Sequence, residues 1–175
     1  MDWYNSVFTL IDMRSFSNLW FWIVLAVMWS SVSHYILGVP FDMVVRARRQ
    51  GGEAMHDLEA LVAIQTRRRL HLLHASGIWI TLFMATLLSA LVVMGFGYGI
   101  EFAQALAFLG IPATLVFALG FRLALRLERE EPQGEGLTRL LTWHRFTIQC
   151  IGLLSVLFTA LWGMWHNLSL SVLSR

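Results

Sequence analysis

Of the 175 residues, 57% are hydrophobic and 14% charged, against about 25% charged in an ordinary soluble domain. Mean hydropathy is +0.63, and a soluble fold of this length could not enclose so much apolar surface. The single cysteine, Cys150, excludes an intrachain disulfide and is expected to be a buried packing residue; all thirteen basic residues are arginine. The arginines cluster beside apolar runs, which points to membrane topology and anionic lipid headgroups and excludes nucleic acid as a partner.

The first 18 residues lack the basic start of a secretory signal, so the apolar run that follows is expected to remain in the mature chain. Residues 3–11 place Trp3, Val7 and Leu10 on one helical face, which predicts a short helix lying in the membrane interface. Ser17 or Asn18 is positioned to cap the next helix. Four apolar runs are then long enough to cross a hydrocarbon core of about 30 Å. They cover residues 19–39, 72–94, 103–121 and 146–165. The predicted fold is an all-α membrane protein: one domain over residues 1–175, an antiparallel bundle of four transmembrane helices.

The connections carry the charge. Residues 40–71 hold Arg46, Arg48, Arg49, Arg67, Arg68 and Arg69, and residues 122–145 hold Arg122, Arg126, Arg129, Arg139 and Arg145. On the other side stand only Arg14 and Arg175, and the turn at residues 95–102 carries Glu101 and no basic residue. The positive-inside rule therefore places both connections in the cytoplasm and both termini in the periplasm of a bacterial inner membrane. Pro40 is expected to end the first run and Gly51-Gly52 to form a turn. From Glu53 onward, Met55, Leu58, Leu61, Val62 and Gln65 repeat at helical spacing, predicting an amphipathic helix that continues through the arginine triplet into the second span. Its apolar face suits either lipid headgroups or a partner protein. Residues 128–136, with Pro132, Gly134 and Gly136, read as a solvated loop.

Helices in lipid associate where small residues allow close approach. Four stripes at four-residue spacing are predicted to face the bundle: Ala26, Ser30, His34 and Gly38; Gly77, Thr81, Ala85 and Ser89; Gly110, Thr114 and Ala118; and Ser155, Thr159 and Gly163. Pro112 is expected to kink its helix by removing one backbone bond.

Histidine is the residue type best suited to hold a cofactor. His34, His74 and His144 fall near one end of the predicted bundle, where two on facing helices would ligate a b-type haem. The competing reading makes His74 and His144 interfacial and gives His34 a hydrogen bond to a neighbouring helix. His166 stands apart at the opposite face. Glu53 and His56 supply only half of a carboxylate-bridged di-iron motif, so a solvated face is the simpler reading and no metal site is expected. Apart from His34 the span centres lack ionisable residues, which weakens a transporter or channel. No phosphate loop, nucleophile triad, HExxH or CxxC motif occurs, so no enzyme activity or catalytic residue is indicated.

Three segments, LIDMRSFSNLWFWIVLAV at residues 10–27, LGVPFDMVVRARRQGGEA at 37–54 and GFGYGIEFAQALAFLG at 95–110, resemble a family of small polytopic membrane proteins of Rhodobacter-type alphaproteobacteria labelled "component of SufBCD complex". The resemblance covers about two thirds of the chain and implies a link to iron–sulfur cluster assembly and association with a membrane complex. The arginine-rich amphipathic helix and the lack of catalytic groups lead to the expectation of an accessory or assembly subunit whose Arg46, Arg48, Arg49, Arg67, Arg68 and Arg69 meet a partner or lipid. A b-type haem or quinone-linked electron carrier is the alternative, and a small transporter or channel comes third.

Overall fold

The computed structural model describes residues 19–173. The interfacial helix expected at residues 3–11, the caps at Ser17 and Asn18, and Arg14 and Arg175 lie outside them. Helix α1 covers Leu19–His34, followed by two short strands, β1 at Tyr35–Ile36 and β2 at Val39–Pro40. Helix α2 is Phe41–Gln50, α3 is Gly52–Val92, a π-helical turn occupies Val93–Gly97, α4 is Glu101–Glu130 and α5 is Gly134–Leu173.

Among the described residues three helices are long and apolar enough to cross a membrane: Gly52–Gly97, Glu101–Glu130 and Gly134–His166. Continuous helix is the expected form for such runs, because no water is present in hydrocarbon to satisfy an open peptide group. Helix α1 has 16 residues, a rise of about 24 Å, and its apolar run ends earlier than the predicted residue 39. The cause is a hairpin in which Ile36 pairs with Val39 and Tyr35 with Pro40. Leu37 and Gly38, the two turn residues, both have positive φ (56° and 86°), the signature of a type I′ turn. A leucine in this conformation costs about 1–2 kcal/mol; burial of its side chain offsets that.

The long helices overshoot. With 41 residues α3 rises about 60 Å, twice the thickness of a hydrocarbon core. The overshooting ends of α3, α4 and α5 pack with α2 and the hairpin into a common core that includes Ile36, Val39, Val44, Leu58, Leu123 and Leu141. Leu58, Val62, Thr66 and Leu70 are the buried positions of α3. The apolar face predicted from Glu53 onward is present, and its Leu58, Val62 and Leu70 pack into the core formed with the chain's other helices. Gly51, at φ 63°, ends α2 and lets α3 start almost at once.

Residues 128–136 are also more ordered than a solvated loop. Helix α4 runs to Glu130, and only residues 131–133 lie between it and α5. Glu131 adopts a left-handed φ of 39° and its N–H donates to Leu127 O, an αL cap followed by the helix-stopping Pro132. Across the cap, Gly134 N–H donates to Glu59 Oε1 at 2.8 Å, so a carboxylate from α3 meets the positive end of the α5 dipole. Such short connections make successive long helices antiparallel.

The packing faces differ from the small-residue stripes. On α1 the buried residues are Leu25 and Trp29, while Ala26, Ser30 and His34 are exposed. On α3 the half-buried stripe is Leu73, Gly77, Ile80, Met84, Leu88 and Leu91, while Thr81, Ala85 and Ser89 are exposed. Gly110 and Thr114 are half-buried and Ala118 exposed, whereas Ser155, Thr159 and Gly163 are buried as predicted. The physical rule is large against small: a Cβ on Gly110 would stand 3.1 Å from Leu88 Cδ2, and one on Gly152 only 2.8 Å from Trp29 Cε3. Each glycine is a notch for a bulky partner. Within α4, Thr114 Oγ1 donates to Gly110 O at 2.8 Å, two residues either side of Pro112.

Gly152→Leu should therefore lower stability by about 1–3 kcal/mol through overpacking, while Ala85→Leu should stay within about 0.5 kcal/mol of the parent. Thermal unfolding in detergent measures both, and equal effects would contradict the packing described.

Candidate functional site

The arginine-bearing end holds most of the ionisable groups. On α2, Val44 and Ala47 are buried and Arg46, Arg48 and Arg49 exposed, so the helix is sealed to the core by one face and charged on the other. Arg46 reaches Asp57 at 3.7 Å, both side chains more than half exposed; such a pair contributes little. Arg126 Nε donates to both oxygens of Glu130, at 2.9 and 3.0 Å. Arg67 Nε donates to Ala63 O at 3.4 Å. Among the described residues Arg48, Arg49, Arg67 and Arg68 form no ion pair. The nearby carboxylates are Asp42, Glu53, Asp57 and Glu59 on α2 and α3 and Glu128, Glu130, Glu131 and Glu135 at the α4–α5 connection, so the end carries both signs of charge.

Arg145 and Arg69 differ from these. The Arg145 guanidinium lies over the Phe41 ring at 3.8 Å, a cation–π contact that ties α5 to the start of α2. Arg69 is half-buried and lines a cavity of about 350 Å³ with His144, Tyr35 and Gly38. A Cβ on Gly120 would come within 3.0 Å of Arg69 Nη1, which places the guanidinium directly on α4. Arg67 and Arg68 point outward.

The three candidate haem ligands do not share a location. His144 is half-buried in that cavity, whereas His34 and His74 are exposed and neither lines it. His34 makes an edge contact with the Tyr35 ring at 4.9 Å. A bis-histidine haem needs two imidazoles on opposite sides of one pocket, so these residues do not fit that group. Glu53 and His56 are both exposed, and no group of three or more His, Cys, Asp or Glu able to hold a metal occurs among the described residues. Cys150 is a free, half-buried thiol.

At the opposite end a polar lock escaped sequence reasoning. Gln104, buried on α4, donates from Nε2 to Gly95 O at 2.8 Å and accepts at Oε1 from Trp162 Nε1 at 3.2 Å. Gly95 lies in the π-helical turn that ends α3, where backbone carbonyls run out of intrahelical partners. One amide thus joins three segments. A Cβ on Gly95 would stand 2.8 Å from the Gln104 backbone N, so the approach requires glycine. Phe96 and Phe108 pack against the Trp162 ring at 5.5 and 5.6 Å. Beside them His166 Nε2 lies 3.6 Å from Glu101 Oε2, so the histidine read as standing apart has an acidic neighbour. The signal available in the sequence was a lone amide in an otherwise apolar run. Such a residue is an expected interhelical hydrogen-bonding group.

No protein-family model, curated protein or solved structure matches the chain.

Gln104→Leu should cost about 1–3 kcal/mol, because it leaves the Gly95 carbonyl and the Trp162 indole without their partner. A melting temperature in detergent equal to the parent's would show that the lock carries no stability.

Proposed function

We propose that the chain is a small bacterial inner-membrane accessory or assembly subunit, without catalytic activity of its own, that docks a partner complex through its arginine-bearing end. The observation that carries this reading is the construction of that end: a packed core outside the most apolar stretches holds Arg48, Arg49, Arg67 and Arg68 on its surface, without ion pairs among the described residues. The apolar face of the amphipathic helix is used internally, so recognition falls to its polar face and to α2. Charged rims of this kind steer association and choose partners. Neighbouring carboxylates at Glu128, Glu130, Glu131 and Glu135 favour a partner with both signs of charge. The proposed topology has α1 as a fourth span, the arginine end in the cytoplasm and both termini in the periplasm, following the arginine asymmetry. The family resemblance to a "component of SufBCD complex" is consistent with a subunit role.

Purification in mild detergent should recover a stoichiometric companion, and Arg48→Glu with Arg49→Glu should weaken that recovery about tenfold or more through charge reversal at the rim. A chain that reproducibly runs alone counts against docking; a Soret band in the same sample would favour the electron-carrier reading instead. For topology, a cysteine at Gly51 in a Cys150→Ser background should react with an impermeant maleimide only in opened cells. Labelling in intact spheroplasts would reverse the orientation.

A further inference from the structure

The cavity beside Arg69 is amphipathic. Its polar lining comes from Arg69, His144, Tyr35 and Ser31, and its apolar lining from Val32, Val116, Phe117 and Ile148. Arg69 is the last of the arginine triplet, where α3 passes from the charged end into its apolar run, so in a membrane crossed by that run the polar lining would lie at the depth of lipid headgroups. The side chain is laid against α4 at Gly120 and not extended outward as an exposed arginine would be. No carboxylate lines the cavity, and Arg69 takes part in no ion pair among the described residues.

A half-buried guanidinium without a counter-charge is costly, and nothing in this cavity supplies the anion. The opening supplies a route for one: Tyr35 and Phe117, both in the lining, are 53% and 46% exposed. We infer that this crevice binds an anionic phospholipid. The headgroup phosphate pairs with Arg69, which presents N–H donors in a fork suited to phosphate oxygens. His144 offers a second hydrogen-bonding group to the same headgroup. An acyl chain lies on Val116 and Phe117, and this apolar wall selects a lipid over a free phosphate ion, which would gain nothing from it. The inference does not rest on the docking role proposed above.

Native mass spectrometry of the full chain in mild detergent tests it, with palmitoyl-oleoyl phosphatidylglycerol, phosphatidylcholine of the same chains and inorganic phosphate as probes. One phosphatidylglycerol should be retained in preference to phosphatidylcholine, and Arg69→Gln should weaken that binding about tenfold, the effect of one charge-assisted contact. Arg68→Gln, an exposed neighbour, should change it less than about twofold. Ala113→Phe, which fills the cavity and leaves Arg69 in place, should produce the same loss and serves if Arg69→Gln does not fold. Unchanged retention in the folded Arg69 or Ala113 variant overturns the site, as does an equal loss in the Arg68 and Arg69 variants, which would indicate diffuse surface attraction. Equal retention of phosphatidylcholine, or displacement of the lipid by an equal concentration of phosphate, overturns the assignment to an anionic lipid.

Discussion

Every peptide group placed in hydrocarbon must find its partner within the chain, and the form of this protein follows from how its helices meet that demand and then exceed it. Continuous helix removes the problem along Gly52–Val92, Glu101–Glu130 and Gly134–Leu173. Their ends bring it back, since the last carbonyls and first N–H groups of each helix lack intrahelical partners. The chain answers with side chains from elsewhere: the Gln104 amide N–H donates to the Gly95 carbonyl, and the Glu59 carboxylate accepts from the Gly134 N–H. These bonds lie at opposite ends of the bundle. Together they set how the long helices are joined.

Between those ends, packing is governed by shape. A helix in lipid gains nothing by hiding a leucine from water, so it gains by fitting one surface closely into another. Leu88 faces Gly110 and Trp29 faces Gly152. At the arginine end, Leu58, Leu123 and Leu141 instead meet in a core resembling that of a soluble bundle, where removal of apolar surface from water is the driving force. One set of helices therefore uses two different kinds of cohesion along its length. The hairpin at Tyr35–Pro40 joins the two regimes, and its buried Leu37 contributes to the second.

The same division organises charge. Exposed guanidiniums on α2 and at Arg67 and Arg68 belong to the outer surface of the core, whereas Arg69 turns inward toward His144. Three adjacent arginines thus have two fates, because helical geometry sends successive side chains in directions about 100° apart. A surface for recognition and an inward-facing cation arise from one triplet.

Composition and the lengths of apolar runs were enough to predict helices long and apolar enough to cross a membrane, because the cost of an unpaired peptide group in lipid does not depend on tertiary detail. Periodicity likewise revealed the continuous amphipathic helix that leads into the second apolar run, and the buried stripe of Ser155, Thr159 and Gly163. It could not reveal which stripe on α1 or α3 meets a neighbour, since a small residue is useful only when a large one opposes it, and the opposing residue is far away in sequence. Nor could it separate Arg69 from Arg68, or place His144 in a cavity without His34 and His74. Those outcomes depend on the hairpin that ends α1 early and on the notches at Gly95, Gly120 and Gly152, which exist only once the helices are side by side.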